Sequence, residues 1–158
     1  MTFLVITATA LYVLGMALVF GGTAALSFAA APITFRTLPP AKAGLVFGRV
    51  LAVFDAMAAW ASLVAVVAAM LLVFVHAGPR EVAAAVAAMA IRLVVLVVRR
   101  AIAPRMAALK PPETEEDARA WDPAKKAEFD ALHAKYVRLY ATNLFVALAG
   151  LVVIQLPA

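Results

Sequence analysis

The chain has 158 residues, 66% of them hydrophobic and 15% charged, and its mean hydropathy of +1.00 excludes a soluble domain. Its length allows one domain of about four membrane spans of about 20 residues each, with the rest in connectors. The net charge of +5 is carried by basic residues that flank apolar runs rather than line one face, so nucleic-acid binding is not expected. The lack of cysteine excludes a disulfide framework, a thiol nucleophile, an iron–sulfur cluster and a cysteine-based zinc site.

The first apolar run, Phe3 to Ala31, is longer than a hydrocarbon core of roughly 30 Å requires, so span 1 must tilt or continue into the interface. It lacks the basic n-region of a cleaved signal peptide and is expected to stay. Gly15, Leu18, Gly22, Ala25, Ala29 and Pro32 recur at helical spacing as a mostly small stripe, read as a packing face. A connector follows, in which Pro39-Pro40 ends any helix and Arg36, Lys42 and Arg49 are basic. Ala41 to Arg49 is expected to form a short interfacial helix with Leu45, Val46 and Phe47 facing lipid.

Span 2 covers about 50–75, and Asp55, Ala58, Ala59, Ser62, Ala65, Val66 and Ala69 form its small and polar stripe, which turns Asp55 into the bundle. The turn His76 to Arg80 forces spans 2 and 3 into an antiparallel hairpin. Span 3, about 82–98, carries Arg92 inside the apolar stretch EVAAAVAAMAIRLVVLVVRR. A central arginine costs about 2.5 to 3.5 kcal/mol on insertion scales, so it calls for a partner.

The connector 99–138 opens with the basic, apolar RRAIAPRMAALK, suited to anionic headgroups, and continues past Pro111-Pro112 into an acidic run, Glu113 to Asp117, read as a solvated loop or short helix. Asp122 and Pro123 make an N-cap and first helical residue, from which one helix can run through Ile154, with span 4 at about 139–156. Three basic residues in the first connector and nine from Arg99 to Arg138 oppose the lone Arg80 of the middle turn. Connectors 32–49 and 99–138 are therefore expected in the cytoplasm and both termini outside, in the cell (inner) membrane.

Asp55, Arg92 and Asn143 lie five to seven residues from the basic residues at their span ends, about 7 to 11 Å inside the boundary. One shared layer predicts an Asp55–Arg92 ion pair, either locking the bundle or serving as an ionic site. On the last helix, His133, Tyr136, Tyr140 and Asn143 share a stripe with Phe129, Ala147 and Gly150. The stripe is read as a ligand site or as an interfacial aromatic belt. His76 and His133, the two histidines, fall at opposite ends, which argues against bis-histidine haem and a histidine metal cage; no metal or cofactor is expected. Met16, Met57, Met70 and Met89 are read as filler.

Gly22, Pro32, Phe35-Arg36, Leu38-Pro39, Gly44 and Phe47-Gly48, with Phe129 and Leu132-His133 before the last span, resemble the pattern of the transmembrane protein 205-like family, a domain of unknown function. The resemblance spans the whole length and implies a four-helix integral membrane protein without established activity. A fainter similarity to the membrane domain of copper-resistance proteins suggests transport.

These readings converge on an all-α, four-span bundle with a long cytoplasmic extension of its last helix, in a single membrane domain, 1–158. Its expected role is a non-enzymatic transport, resistance or accessory component binding an anionic amphiphile or lipid through Arg92, Asp55, Tyr136, Tyr140, Asn143 and His133. Partners the sequence allows are membrane lipids, such an amphiphile, a second copy of the chain or another membrane protein. The alternative is a membrane enzyme or redox-cofactor protein using the same polar layer.

Overall fold

The computed structural model describes residues 2–110 and 122–157, so the acidic run Glu113 to Asp117 lies outside the described residues. Six α-helices appear in order: α1 Thr2–Ala25, α2 Ala31–Thr37, α3 Pro40–His76, α4 Pro79–Val97, α5 Ala103–Leu109 and α6 Pro123–Val153. Short π-helical turns, Leu26–Ala30 and Val98–Ile102, join α1 to α2 and α4 to α5. Four continuous helical runs, Thr2–Thr37, Lys42–His76, Pro79–Leu109 and Pro123–Val153, are long and apolar enough to cross a membrane. They pack as a ring in which α1 touches α3 and α6, and α4 touches the same two helices. Both termini and the 76–79 turn share one end; the two long connectors share the other, called here the connector end.

The two π-turns have one cause. Pro32 and Pro104 lack an N–H to donate back, and each ring would crowd the carbonyl four residues earlier. The chain widens ahead of each proline: the amide of Ala31 reaches the Leu26 carbonyl, and the amide of Ala103 reaches that of Val98, both five residues back. The segments are matched in sequence as well, Ala-Pro followed by six residues and Pro-Pro, at 31–40 and again at 103–112. Spans 1 and 3 thus end alike, each continuing past its expected boundary as a seven-residue helix.

The expected interfacial helix at 41–49 is instead the start of α3, a 37-residue helix. Pro40 sits in its first turn, where a missing N–H costs nothing, and no proline interrupts the chain before Pro79. Asp122 caps α6 as its side chain accepts the amide of Ala124 at 2.9 Å.

In lipid, helices associate through close packing rather than apolar burial from water, so small residues set the contacts. A Cβ at Gly15 would lie 2.6 Å from the Ala61 carbonyl oxygen and 3.0 Å from Ala65 Cβ, placing α1 directly on the alanine face of α3. On the other side, a Cβ at Gly150 would lie 2.5 Å from Met16 Cε and 2.6 Å from the Tyr12 hydroxyl. The large side chains of α1 fill the space left by that small residue of α6. The buried face of α1 is therefore Ala8, Tyr12, Gly15, Met16, Val19 and Thr23. Leu18, Ala25 and Ala29 of the expected small stripe are exposed at its surface.

Candidate functional site

Near the connector end, α3 and α6 face each other across the ring, and side chains bridge the gap. Asp55 on α3 is buried, and its Oδ1 accepts hydrogen bonds from the Tyr136 hydroxyl at 3.0 Å and from the Tyr140 hydroxyl. The two phenol rings lie 4.6 Å apart, and Phe54 packs on Tyr140 at 5.8 Å. A carboxylate in an apolar interior needs donors, and these two phenols supply them.

The expected Asp55–Arg92 ion pair does not form. Arg92 Nη1 donates to the Ala59 carbonyl at 2.6 Å and lies 3.5 Å from Ser62 Oγ. Equal depth of the backbone atoms was an insufficient criterion, because Cα–Cβ bonds tilt toward the N-terminus of their own helix. α3 and α4 run antiparallel, so Asp55 leans toward the connector end and Arg92 away from it. Arg92 meets α3 one to two turns beyond Asp55. Tyr136 and Tyr140 sit on α6, which runs parallel to α3, and therefore lean the same way as Asp55.

Beside this cluster opens a cavity of about 290 Å³, at the small end of ligand sites, which run from about 300 Å³. The span 1 run lines it with Thr23, Leu26, Ser27, Ala31 and Phe35; α3 adds Phe47, Leu51 and Phe54; α6 adds His133, Tyr136, Val137 and Tyr140. The first π-turn forms part of the wall. Thr23, Phe54 and Tyr140 stand at its deep end, while Phe35, Phe47 and His133 stand nearest the connectors. Gly22 makes room for the wall, since a Cβ there would press into the Phe54 ring. Phe47 is thus a cavity residue rather than a lipid-facing one, and it meets Phe35 edge-on at 5.7 Å.

Toward the connector end, His133 is exposed and stacks on Phe129, with ring centroids 6.1 Å apart and planes at 6°. Lys110 Nζ lies 6.0 Å from the Phe129 centroid and 3.0 Å from where a Cβ of Gly48 would be. Arg105 pairs with Glu128 at 2.5 Å, fastening α5 to the start of α6.

Of the six expected site residues, His133, Tyr136 and Tyr140 line the cavity, and Asp55 anchors the two phenols from behind. Arg92 and Asn143 are not among its lining residues. Asn143 is 1% exposed, and its Nδ2 has no hydrogen-bond partner among the described residues; the Tyr12 hydroxyl and Thr23 Oγ1 are likewise buried and unpartnered. Thr23 and Ser27 escaped sequence reasoning, although two hydroxyls four residues apart in an otherwise apolar run was the available signal.

Comparison with curated proteins and with solved structures finds no match. A family model does match residues 14–114, which span α1 through α5 and so include the span 1 and α3 walls of the cavity. The chain therefore belongs to the family described as a domain of unknown function (DUF4149).

Proposed function

We propose that this chain is a multi-pass component of the cell membrane, acting in transport, resistance or as an accessory to another membrane protein, and that it holds an anionic amphiphile or lipid in the cavity between α1, α3 and α6. Its two long connectors face the cytoplasm in this reading, as their twelve basic residues favour. The observation that carries it is the cavity itself, an apolar, aromatic-walled space beside a buried carboxylate held by two tyrosines. An intramembrane carboxylate is costly to bury and marks function more often than packing. The apolar body lies among Leu26, Phe35, Phe47 and Leu51, while the acidic group stays toward the connector end, where Lys110 lies near Gly48 and Phe129. Arg92 is not at that end, since it is committed to the Ala59 carbonyl.

Native mass spectrometry after gentle extraction tests the reading. Ser27→Trp fills the cavity from an exposed position of its wall, and it should abolish any co-purifying amphiphile while leaving the melting temperature within a few degrees of the parent. Undiminished occupancy in that variant would place the ligand elsewhere.

A further inference from the structure

The deep end of the cavity has a polarity of its own. The Tyr136 and Tyr140 hydroxyls both donate their protons to Asp55, which leaves each phenol oxygen an acceptor. Thr23 lines the same end and is 3% exposed, and its Oγ1 is buried without a partner among the described residues. Threonine in a helix commonly bonds back to the carbonyl four residues earlier, as Thr37 does to Ile33 at 2.7 Å and Thr142 to Arg138 at 3.0 Å. Thr23 makes no such bond. Its hydroxyl is buried and uncommitted, which costs free energy until something meets it. No basic side chain lines this end, and a carboxylate stands behind it.

We propose that the deep end of the cavity receives the hydroxyl of an apolar alcohol or phenol, which donates to a tyrosine oxygen and meets Thr23 Oγ1. This rests on the cavity being the ligand site and names the chemistry of the buried end of that ligand. An acidic group is disfavoured there, because it would set a second carboxylate against the phenol lone pairs with Asp55 behind them, and an acceptor-only group could take the Thr23 proton but would leave the tyrosine oxygens unmet. The ligand's orientation follows: hydroxyl inward against Thr23 and Tyr140, any acidic group outward toward Lys110. The ring or chain between them lies against Phe54 and Leu51.

The test uses the full chain in lipid nanodiscs and two probes of matched shape, 4-octylphenol and its methyl ether, with binding corrected for uptake by protein-free nanodiscs. The phenol should bind about tenfold more tightly than the ether, the value of one well-made hydrogen bond. Tyr140→Phe should cut that preference to about threefold or less, whereas Thr23→Val, which removes a hydroxyl open to either probe, should weaken the binding of both. Equal affinity for the two probes in the parent protein would overturn the donor assignment and leave the cavity standing. A preference that persists in Tyr140→Phe, or binding of both probes undiminished in Thr23→Val, would also overturn it. Saturable binding of neither probe would overturn the assignment and the cavity reading together.

Discussion

Asp55 and Arg92 show what a single residue's direction decides. The cost of burying each was readable from composition alone, and so was the need of each for a partner. The partner was not, because it depends on which way the side chain leans. Asp55 takes two phenols and Arg92 takes a backbone carbonyl, with no shared partner. A carbonyl oxygen has two lone pairs, so Ala59 can keep its helix bond and still accept from the guanidinium. The expected behaviour is therefore that of independent sites. Asp55→Asn and Arg92→Gln should each change stability in detergent, and the double variant should equal their sum within about 0.5 kcal/mol. A coupling of about 1 kcal/mol or more in a double-mutant melting cycle would show that the two charges interact after all. Thr23 is the complementary case, since a threonine in an apolar span gives no sign in the sequence of whether its hydroxyl bonds back to the helix.

At the scale of the elements, hydropathy was informative for all four spans, and side-chain size was informative on α3 but not on span 1. The buried stripes of α3 and α6 follow their expected residues closely, Ala58, Ala59, Ser62 and Ala65 on one and Tyr136, Tyr140, Asn143, Ala147 and Gly150 on the other. On span 1 smallness does not mark the packing face, because its buried face carries Tyr12 and Met16 against a glycine of α6. The π-turns were also hidden: Pro32 and Pro104 were visible, but a proline can kink, end or widen a helix, and the sequence does not choose among these. Gly15 gives the sharpest prediction here. Gly15→Ala would place a methyl against a backbone carbonyl, which cannot rotate away as a methionine tip can, so α1 must separate from α3. A loss of about 1 to 3 kcal/mol is expected, read as a lowered melting temperature in detergent. The neighbouring Gly21 has open space around its Cβ position, and Gly21→Ala is the control that should change little.

For the whole molecule, the ring of four long helices fixes which segments share an end, and the charge pattern then predicts how that ring sits in a membrane. The turn at 76–79 and both termini lie together. At that end Arg80 binds Glu81 at 2.6 Å and the Leu156 carbonyl at 2.8 Å, so the single basic residue of the turn is occupied in tying α4 to the end of the chain. The opposite end carries the two connectors and twelve lysines and arginines, counting three from 32–49 and nine from 99–138. Basic residues near span ends are retained in the cytoplasm, and here they oppose a lone Arg80, so the connector end is expected inside. Because all four spans are linked in one ring, a single measurement at each end settles the whole arrangement. Alkaline phosphatase fused after Leu109 should be inactive, and the same enzyme fused after Pro157 should be active. The reverse pattern would turn the bundle over, and the end of the cavity lined by Phe35, Phe47 and His133 would then face the exterior rather than the cytoplasm.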